Sequence, residues 1–268
     1  MQDLFWELTI AAYLLTRQSL KAPSLQNRYT GDIADFGKFL LLKHLFPKEN
    51  IATIWYLYPD ETHNNDGSHT VEEGNTKVFP HCHALDSQMA EIFNTIHRGF
   101  IRHIDAFEIL GVLPNGHFFR ETILGQGAGY RKLWCNRALD FIQRNSCRIV
   151  CLDPDNGIEP MGMKRLSIVK QGKYTTFEEI ERFFDLESVE HVMIYQHFNR
   201  LKKHDQQMME AKERFQTLYE GRAAVTVIRH NPVQPRFYIL LSKSGHAIDV
   251  KHSLEHLMYD TIAFFSVL

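Results

Sequence analysis

Residues 148–157, Arg148-Ile149-Val150-Cys151-Leu152-Asp153-Pro154-Asp155-Asn156-Gly157, form an apolar run that stops on two carboxylates, an amide and a proline. A short buried run with this ending reads as a strand feeding a polar loop. In open α/β sheets, ligands collect just beyond such carboxyl ends. Asp, Pro, Asn and Gly also build ordinary turns, so this segment alone supports either reading. A second run ends the same way: Ile51 to Tyr58 leads into Pro59-Asp60-Glu61-Thr62-His63-Asn64-Asn65-Asp66-Gly67. Two strand tips rich in Asp, Asn and His predict one shared site.

Outward from these runs, helix and strand patterns alternate. Helices are expected from Asp32 to just before Pro47, over Leu85–Phe100, over Tyr130–Arg144, over Lys202–Glu220 and over 253–265. Another opens at Thr175 or Thr176, with Glu178 and Glu179 in its first turn as capping favours. Strands are expected at 51–58, 148–153, 191–195, Ala224–Arg229 and Arg236–Leu241. Residues 102–124 read as two short strands, Ile104–Leu110 and Phe118–Leu124, around the turn Leu113-Pro114-Asn115-Gly116. The alternation predicts an α/β, Rossmann-like, mainly parallel sheet with helices on both faces. It is expected to span residues 27–268, after an N-terminal helical extension over 1–26.

Composition narrows the class. With 268 residues, 44% hydrophobic and 23% charged, the chain can bury a sizeable core. A formal charge of −2 carries no bulk signature of a polyanion partner, so any nucleic-acid surface has to be local. Cys82, Cys135, Cys147 and Cys151 lack paired metal spacing and fit a reducing, cytoplasmic setting. His81-Cys82-His83 lacks two further zinc ligands and reads as surface loop. The apolar segment Leu4–Leu15 carries Glu7, lacks a basic start and is shorter than a membrane span. It is expected to be an amphipathic helix packing on the body or joining two copies as a homo-oligomer, away from any membrane.

Residues 28–44, Arg-Tyr-Thr-Gly-Asp-Ile-Ala-Asp-Phe-Gly-Lys-Phe-Leu-Leu-Leu-Lys-His, resemble the opening element of the 23S rRNA adenine-N6 methyltransferase family of RlmJ type, His-Ala-Gly-Asn-x-x-Asp-Val-x-Lys-His. Gly31, Asp32, Asp35 and Lys38 take the matching places, with Tyr29 at the histidine. Two later parts follow in the same order. Pro59-Asp60-Glu61-Thr62-His63 stands where the family has Asp-Thr-His-Ala-Gly-Ala-Gly, and Asp153-Pro154-Asp155-Asn156 where it has Asp-Pro-Pro-Tyr. The resemblance implies a methyltransferase-type fold, S-adenosylmethionine as cofactor and nucleic acid as substrate. On this reading Gly31, Asp32, Asp35, Asp60, His63 and Asp66 are expected at the cofactor, and Lys38, Asp153, Asp155, Asn156 and His197 in catalysis, with Asp155 and Asn156 replacing the family's second proline and tyrosine by a carboxylate and an amide that suit a metal ion better than a base. The glycine-rich cofactor turn is reduced to one late Gly67, and the stacking tyrosine is replaced by Asn156.

The residues also support other chemistry. Asp60, Asp153 and Asp155 are oxygen donors suited to Mg or Mn in a phosphodiesterase or nuclease, with His63 or His197 moving protons. A non-catalytic binding protein on the same scaffold is the third reading. His197 and Arg200 follow strand 191–195 and are expected at the same edge as Asp153. Arg165, Lys170 and Lys173 make a basic run beside the Asp153 loop. Gly125-Gln126-Gly127-Ala128-Gly129 reads as a flexible loop, and Arg131 with Trp134 as a nucleotide clamp or, for Trp134, core.

Overall fold

The computed structural model describes residues 30–57, 79–98, 103–123, 128–160, 162, 166–232, 235–261 and 264–268. The chain divides into two compact units, Met1–Lys43 with Pro59–Pro114, and His44–Tyr58 with Asn115–Leu268. The expected 1–26 extension lies outside the described residues.

The first unit contains most of α1 (Ile33–Leu45), with α2 (Phe79–Leu85), α3 (Ser87–Arg98) and α4 (Asp105–Ile109). Its core is aromatic. Phe36 meets Phe93 edge-on at 5.3 Å, and Phe107 lies 4.8 Å from Phe39 and 5.8 Å from Phe93. Cys82 is fully buried and free, and burial pushes its thiol up to about 12, so it serves as a small core residue. The strand expected over Ile104–Leu110 is instead a helix with Asp105, Ala106 and Phe107 buried. A short apolar run fits both periods, and here the pairing partner that would make it a strand is taken elsewhere.

The second unit is a mixed α/β structure around a seven-stranded sheet of order β2-β1-β3-β6-β8-β7-β9. These are β1 (Ile51–Trp55), β2 (Gly116–Phe119), β3 (Ile149–Asp153), β6 (His191–His197), β7 (Ala223–His230), β8 (Arg236–Lys243) and β9 (Phe265–Val267). The pairs β2–β1, β1–β3 and β3–β6 are parallel, and β6–β8, β8–β7 and β7–β9 are antiparallel. β1 is buried along its whole length and β3 over all but its last residue, as parallel strands covered on both faces must be. Of the segment expected as the second short strand, Phe118–Leu124, Phe118 and Phe119 belong to β2 and pair in parallel with β1, and Thr122 makes an isolated parallel bridge to Leu57. The Leu113–Gly116 turn therefore leads into the sheet edge and does not join two antiparallel strands.

The helices of this unit are α5 (Ala128–Arg144), α6 (Ile168–Gln171), α7 (Phe177–Phe184), α8 (His204–Leu218) and α9 (Ala247–Thr261). α7 begins at a capping box in which the Thr176 side chain accepts from Glu179 N–H and the Glu179 carboxylate accepts from Thr176 N–H. Trp134 on α5 packs against Tyr56 and Phe119 at 4.8 and 5.6 Å and donates its indole N–H to Glu121 O. It is core, and the clamp reading of Trp134 falls. Between β3 and α7 the chain makes a small two-stranded excursion, β4 (Gly157–Ile158) with β5 (Tyr174–Thr175). Among the described residues no helix is long and apolar enough to cross a membrane.

Candidate functional site

Strand order reverses between β1 and β3. From β1 the chain goes outward to β2 on one side, then returns to lay β3 and β6 on the other. Such a switch point opens a crevice at the carboxyl ends of the two central strands, because the connections leave in opposite directions. Asp153 is the last residue of β3, directly opposite Trp55 at the end of β1. Its backbone carbonyl accepts from Tyr56 N–H at 3.4 Å, and its side chain is only partly buried.

Register and pleat gather further polar residues on this face. Continued one step, the β3–β6 register sets Asp153 beside Tyr195, which is paired with Tyr238 of β8. Two residues on, His197 is paired with Arg236, and Arg236 with His230 of β7. Residues two apart on a strand share a face, so both rows lie on one side of the sheet at its carboxyl edge. The Tyr195 hydroxyl lies 2.8 Å from His197 Nε2. Burial first, then the charge of Arg236, pushes the His197 imidazole down to about 4, against a backbone bond to Asp155. That bond raises the value, so a ring N–H donates to the carbonyl, leaving Nε2 to accept from Tyr195. Burial holds the Tyr238 hydroxyl protonated well above its ordinary range, with Arg236 acting the other way and Tyr195 and Asp153 pushing further up.

The Asp-Pro-Asp-Asn-Gly loop is clamped to β6. Gln196 Oε1 accepts from Ile158 N–H at 2.7 Å, and its Nε2 donates to His197 O at 2.8 Å. Gly157 has φ +94°, and a Cβ there would lie 2.5 Å from Gln196 Oε1, so both conformation and space require glycine. Asn156 is held by its backbone, its N–H donating to Lys173 O at 2.8 Å. The Lys173 ammonium stands 3.4 Å from the Asp155 carboxylate. The β4–β5 excursion is anchored from below by a buried network. Tyr56 Oη meets Thr175 Oγ1 at 2.8 Å and Glu179 Oε2 at 3.3 Å. Arg131 donates to both Glu179 oxygens and to the carbonyls of Gln171 and Tyr174. Arg131 is thus a strut of this loop, which answers the clamp reading for this residue as well.

Asp153 ends β3, Asp155 and Asn156 follow it, and His197 ends the neighbouring β6. Lys173 joins them, and Arg200 lies exposed in the loop after β6. The sequence reading did not single out Tyr195, Gln196 or Arg236, which line this edge. Glu121 follows the tip of β2, half exposed and ion-paired with Arg137. Asp60, His63, Asp66, Arg165 and the glycines at 125 and 127 lie outside the described residues.

Gly31, Asp32, Asp35 and Lys38 form their own cluster in the first unit. Asp32 Oδ1 accepts from Asp35 N–H at 2.8 Å, Asp35 Oδ2 from Gly31 N–H at 3.0 Å, and Asp35 Oδ1 from Lys38 Nζ at 2.7 Å. Gly31 has φ +84°, and its carbonyl lies 2.7 Å from His97 Nε2. These residues start α1, with carboxylates at its positive end. Among the described residues there is no group of three or more His, Cys, Asp and Glu able to hold a metal ion.

No protein-family model, curated protein or solved structure matches the chain.

Proposed function

We propose that the chain is a methyltransferase-like enzyme with a Rossmann-like core that acts on nucleic acid with S-adenosylmethionine. The observation that carries this reading is the switch point between β1 and β3, with the Asp153 carboxylate at its lip. Glu121, past the tip of the strand beside β1, fits the acidic position that receives ribose hydroxyls in nucleotide-binding sheets. When bound, S-adenosylmethionine supplies an activated methyl group.

The chain's own residues supply orientation. Asp153 accepts an N–H of the target amine and fixes its lone pair toward the methyl donor. The Gln196 clamp and the Arg131–Glu179 strut hold the loop that carries it. The proton released by the methylated amine leaves to water at the partly exposed Asp153 edge, while neutral His197 and the Tyr195 hydroxyl hold each other as a fixed polar wall beside it. Asp60 and Asp66 are assigned to the cofactor's polar groups by the resemblance alone. Incubation of the full chain with methyl-labelled S-adenosylmethionine and mixed RNA or DNA tests the reading. Label should enter nucleic acid with wild type and fall at least about a hundredfold with Asp153→Ala. Unchanged labelling in that variant removes Asp153 from the reaction.

A further inference from the structure

We propose that the loop Asn199–Lys203 is a nucleic-acid wedge, in which Leu201 enters the base stack while Arg200, Lys202 and Lys203 take the flanking phosphates; this rests on the nucleic-acid reading above. Leu201 is 89% exposed, the most exposed large hydrophobic residue among those described. A lone exposed leucine carries no argument by itself. This one is held out on a loop with a dedicated support. Asn199 Oδ1 accepts from Leu201 N–H at 2.9 Å. Buried Gln207, on the first turn of α8, accepts from Asn199 N–H at 2.9 Å and donates to the carbonyls of Asn199 and Lys202 at 2.9 and 2.7 Å. The hydrogen bonds order the backbone under a side chain that stays 89% exposed, so the fold gains little burial from Leu201 in return for that ordering.

The charge around it is equally local. A chain of formal charge −2 has three cations and no carboxylate within residues 199–203. Lys202 pairs with Glu210 at 2.6 Å, but both are well exposed, and such a pair exchanges readily for a phosphate. Behind the loop, Phe198 stacks on His204 at 4.0 Å and leans on Phe237 at 4.8 Å, which stiffens the base from which the loop rises. The loop leaves β6 directly after His197. Four residues span at most about 14 Å, so Leu201 stands within roughly that reach of His197 at the end of β6. An enzyme that modifies a paired base must turn it out of the helix, and an apolar side chain between cations fills the vacated stack.

The test uses the full chain and a short duplex, as DNA and as RNA, carrying one 2-aminopurine, whose fluorescence rises when it leaves the stack. Wild type should bind and brighten the probe severalfold. Leu201→Ala should weaken duplex binding by about tenfold and lose the brightening, yet keep single-strand affinity within about twofold, and Leu201→Phe should restore it. Arg200→Ala and Lys203→Ala should each lower the salt slope of binding by about one. Duplex affinity and brightening unchanged in Leu201→Ala overturn the wedge and leave the nucleic-acid reading standing. A wild type that binds neither duplex nor single strand overturns both.

Discussion

The Tyr195 hydroxyl and His197 Nε2, two residues apart on one face of β6, meet at 2.8 Å beneath the buried guanidinium of Arg236. With its pKa near 4 against an ordinary 6.5, His197 is neutral in the fold. As pH falls below about 6.5, the unfolded chain takes up this proton first, so stability is lost through the window down to about 4. The loss amounts to about 3 kcal/mol for this group. His230, fully buried and held far below its ordinary value by burial and then Arg236, acts in the same sense. Denaturant midpoints at pH 7.5 and 5 should therefore differ clearly in wild type and differ less in His197→Gln. An identical pH difference in the variant would show that His197 titrates normally.

Gly157→Ala meets two obstacles, a left-handed backbone and the Gln196 side chain. A loss of about 2 kcal/mol or more is expected in equilibrium unfolding. Gln196→Ala removes the clash but not the backbone strain. In the Gly157→Ala/Gln196→Ala double variant the alanine at 157 should thus be less costly than in the wild-type background, a non-additivity that a double-mutant cycle reads directly. Strict additivity would mean that the two side chains do not compete.

Arg131 and Glu179 are both largely buried, and each has further polar partners. Glu179→Ala leaves a buried guanidinium without its carboxylate and is expected to cost about 3–5 kcal/mol, whereas Thr176→Ala removes only a cap and should cost about 1. Comparable losses in the two variants, measured by urea melts, would contradict the strut role of Arg131.

Asp155 already has a cation beside it, since Lys173 Nζ lies at 3.4 Å. Two carboxylates flanking Pro154 therefore need no divalent ion to offset their charge. Titration with Mg or Mn should give no stoichiometric heat with wild type, and Asp155→Asn should leave S-adenosylmethionine affinity within a few fold. Stoichiometric metal binding that vanishes in Asp155→Asn would restore the phosphodiesterase reading.

Much of this architecture could be read from local pattern. The Ile51 and Ile149 runs are β-rich and bounded, the Thr176–Glu179 cap is a four-residue signature, and α5 and α8 have long helical periods. Residues 104–110 misled because seven residues satisfy both periods. At the site, Asp153, Asp155, Asn156 and His197 announced themselves by following strands. Arg236 and Tyr195 gave no such signal. Arg236 looks like the start of a tail strand, and it reaches the site only because β8 runs antiparallel to β6 and pairs it with His197. Gly157 looks like a turn glycine until Gln196, 39 residues later, is seen to occupy the space of its missing side chain.

The most direct test of the central claim, a methyl-donor site across the tips of β1 and β3, is calorimetric titration of the full chain with S-adenosylmethionine. One site per chain is expected, weakened about tenfold or more by Glu121→Gln through the lost ribose acceptor and changed by no more than a few fold by Asp155→Asn. Absence of binding to wild type, or binding indifferent to Glu121→Gln, would contradict the assignment.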